Sequence, residues 1–123
     1  MKTNESAENY LETILILSKK LPVVRSVDIA TELGYKKSSV SVAMKNLREK
    51  EQITVTDAGF IYLTDTGKEI AEMIYERHGM LTRCLAALGV SEEVAEEDAC
   101  KIEHVISKES FEAIKKYARD KNI

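Results

Sequence analysis

The sequence predicts a mainly α-helical chain with one β-hairpin set after the third helix. Two observations carry this: apolar residues recur at three- and four-residue spacing through most of the chain, and that period gives way to strict alternation only between Ile53 and Leu63. A third observation sets the boundaries, because Pro22 and the glycines fall mostly at the ends of the periodic stretches.

The elements follow in order. Ala7, Tyr10, Leu11, Ile14, Leu17 and Leu21 make one apolar stripe of a helix from about Ser6 to Lys20, with Ser6 suited to cap the free N–H groups and Pro22 just beyond its end. Ser26 is placed to cap a short second helix, Val27 to Leu33, whose Ile29, Ala30 and Leu33 face inward and whose end is turned by Gly34. A third helix starts near Ser38 and runs to Lys50. Ile53 and Val55, then Ile61 and Leu63, alternate on two strands joined through Asp57-Ala58-Gly59. Thr64 or Asp65 opens a long fourth helix in which Ala71, Ile74, His78, Leu81, Leu85 and Leu88 share a stripe ending at Gly89. Ser91 caps a fifth helix with Glu92 and Glu93 in its first turn, where negative charge suits the helix dipole. A sixth begins near Ser107 and carries Phe111, Ile114 and Ala118 on one side.

Helix, short helix, glycine turn, helix and hairpin is the order of a winged helix-turn-helix. The expected architecture is therefore a winged helix-turn-helix in residues 1–64, with three helices and a hairpin wing, followed by a helical region in residues 65–123. A chain of 123 residues has no room for two large independent domains. No apolar run approaches the ~18 residues of a membrane span, and the first residues lack the apolar core of a secretion signal. The expected location is thus the cytoplasm, where Cys84 and Cys100 are reduced thiols and available as ligands.

A net charge of −3 argues against nonspecific coating of nucleic acid, so local clustering decides. Between Lys36 and Lys50, Lys36, Lys37, Lys45, Arg48 and Lys50 oppose Glu49 alone, the most basic stretch of the chain. Val40, Ala43, Met44 and Leu47 of the third helix point to a core, while Lys37, Ser38, Ser41, Lys45 and Arg48 follow the opposite stripe. That stripe suits a major groove: Arg48 and Lys45 for guanine edges or phosphates, the serines, Ser39 among them, for phosphates or bases, and Val42 at its border for a thymine methyl. Lys36 and Lys37 beside the helix N-terminus suit a phosphate. A merely solvated polar face is the other reading. The wing, acidic at Asp57, is given no role in specificity.

Cys100, Glu103 and His104 are spaced i, i+3, i+4, an arc of about 100° on one helix face. Thiol, carboxylate and imidazole together suit a transition metal; a solvated face with a spare thiol is the alternative. His78 interrupts the apolar stripe of the fourth helix, where a neutral ring needs a hydrogen-bond partner or a metal. Asn9 and Glu12 are polar i, i+3 neighbours beside the stripe of the first helix. These residues converge only if the first, fourth and fifth helices come together.

The segments Ser6 to Glu12, Val27 to Ala30, Ser38-Ser39-Val40, Arg77-His78 and above all Asp98-Ala99-Cys100-Lys101-Ile102-Glu103-His104-Val105 resemble the metal-dependent repressors typified by the diphtheria toxin repressor and the manganese transport regulator. The resemblance covers nearly the whole chain. It implies a homodimer formed through the C-terminal helices, metal-promoted binding to double-stranded operator DNA, and repression of metal-uptake genes. It also implies that Cys100, Glu103 and His104 hold the regulatory metal, with His78 and Glu12 at further positions that bind metal in some members. Asn9 stands where iron-type members have methionine and manganese-type members aspartate; its amide oxygen carries no charge and binds more weakly than a carboxylate. Thr82 and Glu96 stand at ancillary-metal positions of the iron type, where Thr82 is a poor substitute. A thiolate beside an imidazole favours Fe²⁺, Co²⁺, Ni²⁺ or Zn²⁺ over Mn²⁺, and Fe²⁺ is the expected ion. The competing readings are a winged-helix regulator answering to another ligand and, less consistent with the absence of an evident general base, a hydrolytic metalloenzyme.

Overall fold

The computed structural model describes residues 2–123, with side chains from Glu5 onward. Its elements run α1 (Lys2–Lys20), α2 (Ser26–Leu33), α3 (Lys37–Glu49), β1 (Ile53–Val55), β2 (Ile61–Leu63), α4 (Asp65–Ala87), α5 (Glu92–Ile102) and α6 (Lys108–Asp120). By its contacts the chain divides into two compact units, Lys2–Glu72 and Met73–Ile123.

The first unit is a winged helix-turn-helix around one apolar cluster. Tyr10, Leu11, Ile14 and Leu17 of α1 are buried with Ile29 and Ala30 of α2, Val40, Met44 and Leu47 of α3, and Ile53 and Ile61 of the hairpin. α1 begins ahead of Ser6, so Ser6 is not its cap. Nor does Ser26 cap α2: Arg25 holds the extended N-cap position, and Asp28 reaches back to accept its N–H at 2.9 Å. Gly34, at φ 69°, ends α2 in the left-handed region that an L side chain resists.

The wing is antiparallel, with Ile53 opposite Leu63 and Val55 opposite Ile61. Val24 adds a bridge on the other side of β2, its carbonyl accepting the Ile61 N–H at 2.8 Å. Hairpin and α4 are joined at a tight crossing. The Thr64 hydroxyl donates to Glu51 O at 2.7 Å, Thr64 N–H donates to Gln52 O at 3.1 Å, and a Cβ on Gly67 would collide with that same Gln52 carbonyl. Glycine at 67 is therefore a requirement of the close approach.

In the second unit, Ile74, Leu81, Ala95, Ala99, Phe111 and Ala118 are buried. Ser91 and Ser107 cap α5 and α6, accepting the N–H of Val94 and of Ser110 at 3.4 and 3.0 Å. The stripe of α4 is less buried at its end than its period implies: Leu85 is half-buried and Leu88, in the turn beyond the helix, is 81% exposed. These residues line an open apolar cleft of about 780 Å³ with Leu81, Ile114 and Tyr117. Among the described residues no helix is long and apolar enough to cross a membrane.

Candidate metal centre and nucleic-acid face

The end of α5 and the turn beyond it build a cluster of donors. α5 is helical only to Ile102, so Glu103 and His104 lie in the turn rather than on the helix. The helical stagger nonetheless continues one step, because Glu103 keeps right-handed angles (φ −57°, ψ −26°) and its N–H donates to Ala99 O at 2.9 Å. The helix stops where Val105 and Ile106 N–H both return to Ile102 O, each at 3.0 Å, ahead of the Ser107 cap. One donor atom each from Cys100, Glu103 and His104 lies within 4.8 Å of the others. Cys100 is exposed, whereas the His104 side chain is 3% and that of Glu103 0% exposed.

Glu103 is the centre of this cluster. Its Oε2 lies 3.1 Å from His78 Nδ1 on α4, and its Oε1 lies 3.3 Å from His104 Nε2, at ion-pair distance but without a hydrogen bond among the described residues. A carboxylate this deeply buried is costly unless its charge is met, and a divalent cation meets it. Thiolate, imidazole and carboxylate around that oxygen form a donor set that fits a transition metal. With its proton on Nδ1, His78 donates to Glu103 and presents its lone pair at Nε2, the arrangement by which carboxylates orient metal-binding imidazoles. The Thr82 hydroxyl donates to His78 O at 2.7 Å, so it is engaged with the backbone of its own helix. Glu96 is exposed. Asn9 and Glu12 belong to the other unit, on α1, where Asn9 is half-buried and Glu12 buried.

Arg77, which the sequence offers only as part of the family-like Arg77-His78 pair, has no site role assigned to it from spacing. It is 8% exposed, and its Nη1 donates to the carbonyls of Glu103 at 3.1 Å and Ile106 at 3.2 Å. The signal was present: Ile70, Ile74, Arg77 and Leu81 share one helical stripe, and a cation on an apolar stripe implies a buried partner.

On the first unit, α3 has the two faces expected of it. Val40, Met44 and Leu47 are buried, and Lys36, Lys37, Ser38, Ser39, Ser41, Lys45 and Arg48 are all exposed. Val42 lies among them, 61% exposed. Lys36 occupies the N-cap position without a side-chain cap, beside the first N–H groups of α3.

Residues 2–57 match the N-terminal DNA-binding domain of the iron-dependent repressors, and residues 64–121 match their metal-binding and dimerisation domain. The transcriptional regulator MntR of Escherichia coli is 31% identical over 115 residues, spanning 94% of this chain and 74% of its own length. The chain belongs to the iron-dependent repressor family. The HTH-type regulator MntR of Bacillus subtilis is similar at 33% identity over 112 residues, 91% of this repressor and 79% of that protein. The structure of the manganese regulator SloR matches with a TM-score of 0.80 at 23% identity, covering 92% of this repressor and 53% of SloR, and so speaks to the fold. This repressor spans about half of that structure. It is a metal-dependent, DNA-binding transcription regulator and not an enzyme, as the family and the relatives' names establish.

Proposed function

We propose that Cys100, Glu103 and His104 bind a divalent transition metal, and that the bound ion raises affinity for operator DNA read by α3. The observation that carries this is the buried Glu103 carboxylate, with one oxygen that makes no hydrogen bond and a thiol and an imidazole beside it. The resemblance to the family adds His78 of α4 and Glu12 of α1 as further positions that bind metal in some members, and Asn9 of α1 is a weaker candidate because its amide oxygen carries no charge. The ion supplies positive charge to the carboxylate and fixes the directions of its ligands. By that coupling it favours the DNA-binding arrangement by about 1–3 kcal/mol, the usual strength of linkage between two sites.

Residues 1–64 form the reading domain in this proposal and residues 65–123 the metal-binding and dimerisation domain. Lys45 and Arg48 reach guanine edges or phosphates, Lys36, Lys37, Ser38, Ser39 and Ser41 hold the backbone, and Val42 meets a thymine methyl. The functional unit is a homodimer, with the apolar cleft of about 780 Å³ supporting a second copy as its occupant. The repressor acts in the cytoplasm.

Fe²⁺ is the proposed ion, because the Cys100 thiolate suits Fe²⁺, and also Co²⁺, Ni²⁺ and Zn²⁺, better than the oxygen-preferring Mn²⁺. The test is to select tight-binding duplexes from a random pool, then compare binding with Fe²⁺ under anaerobic conditions and with Mn²⁺. Stronger activation by Fe²⁺ is expected; stronger activation by Mn²⁺ contradicts the assignment. Sedimentation of the same samples is expected to give a dimer.

A further inference from the structure

We infer that Arg77 is a positioning residue for the metal centre, holding the turn that presents Glu103 and His104 in shape before an ion arrives. The inference rests on the ligand assignment just proposed and extends it to a residue outside the ligand set. Arg77 Nη1 donates to Glu103 O at 3.1 Å and to Ile106 O at 3.2 Å, two carbonyls that bracket His104 along the chain. They lie where α5 ends, and carbonyls at a helix C-terminus carry partial negative charge that attracts a cation. The guanidinium is placed by Phe111 of α6, whose ring centroid is 5.5 Å from its central carbon.

Two features separate this from generic helix capping. The residue is 8% exposed, and its buried Nε makes no hydrogen bond among the described residues. A buried cation with a donor unmatched is a poor device for stability alone, since an apolar side chain of similar volume commonly serves as well or better. What an apolar residue cannot do is fix two particular carbonyls, one of them belonging to the residue whose carboxylate centres the cluster. Lysine keeps the charge but lacks the planar fork and its reach, so it cannot reproduce this geometry.

The experiment compares the full-length protein with Arg77→Lys and Arg77→Met, using Co²⁺ alone as the probe under anaerobic conditions. Calorimetry gives affinity, and near-ultraviolet absorption reports the thiolate-to-cobalt transition. Amide exchange in chelator reports the turn at residues 103–106 in the metal-free state. Wild type is expected to bind Co²⁺ with a thiolate band and to protect the Val105 and Ile106 amides without metal. Arg77→Lys is expected to remain folded by circular dichroism, to bind about 10–100-fold more weakly as when a ligand loses its supporting partner, and to exchange faster at the turn. A folded variant with wild-type affinity and band overturns the inference, even if its melting temperature falls. Rapid exchange at the turn in metal-free wild type overturns it too, independently of any variant. Wild type that binds no Co²⁺ overturns the ligand assignment itself, and this inference with it.

Discussion

The two units differ in how they handle buried charge. In Lys2–Glu72 a continuous apolar cluster runs through α1, α2, α3 and the hairpin, and the basic side chains of α3 stand in solvent. In Met73–Ile123 two charged residues, Arg77 and Glu103, are buried, the carboxylate beside His78 and His104, and an apolar cleft stays open beside α6. Among the described residues the first unit buries a single carboxylate, Glu12 of α1, beside that apolar cluster and displays a basic face. The second places a charge in its interior, a costly choice that makes sense where a cation is to be bound. That difference matches the proposed division between sensing and reading.

That division can be broken by substitutions whose effects ought to stay on one side of it. The largest expected effect is from Glu103→Ala, which removes the central carboxylate. Calorimetry with Co²⁺ is expected to show a loss of more than about 100-fold, above the 10–100-fold cost of losing a supporting partner. Basal DNA binding without metal is expected to be unchanged. Next, Gly67→Ala strikes the scaffold, since the new methyl would collide with the Gln52 carbonyl. Denaturant unfolding is expected to show a loss on the order of 2–4 kcal/mol, in the upper range for single substitutions. Glu103→Ala would leave that transition of the reading unit in place.

Arg48→Ala comes third. It is expected to cost about 1–3 kcal/mol of specific DNA affinity, measured by fluorescence anisotropy, with Co²⁺ affinity in free protein unchanged. Lys37→Ala is expected to weaken binding to all duplexes alike and to reduce the salt slope by about 1, as loss of one phosphate contact does. Smallest is the contribution of Val42. Replacing thymine by deoxyuridine in a selected duplex is expected to lower wild-type affinity by roughly 1 kcal/mol or less, about the value of one buried methyl, and to leave Val42→Ala insensitive.

The reading unit was legible in the sequence because its design is the one that periodicity reports. Val40, Met44 and Leu47 on one face and Lys37, Ser41, Lys45 and Arg48 on the other follow from helical spacing alone, and the alternation of Ile53, Val55, Ile61 and Leu63 gave the wing. The other unit was legible in its ligand types but not in its supports. That Cys100, Glu103 and His104 bring their donor atoms together follows from residue chemistry and spacing. That α5 would end at Ile102 was not, because the stop is made by backbone N–H groups of Val105 and Ile106 returning to one carbonyl. Arg77 was legible only as part of the Arg77-His78 pair and not in its role, because a stripe is read for its apolar members and the partners it meets are carbonyls that every residue possesses. Leu88 shows the converse error, a residue in phase with a buried stripe that the end of α4 leaves exposed.

In the proposed function an ion held at Glu103 and His104 governs DNA binding by α3. The most direct measurement is the affinity of wild type and His104→Ala for one selected duplex, by anisotropy, after chelation and again after metal is restored. Wild type is expected to lose about 5–150-fold on chelation and to recover it with metal, the range given by a coupling of about 1–3 kcal/mol, while His104→Ala stays at the chelated level throughout. Equal affinity of wild type in both conditions, or full metal response in His104→Ala, would contradict the account.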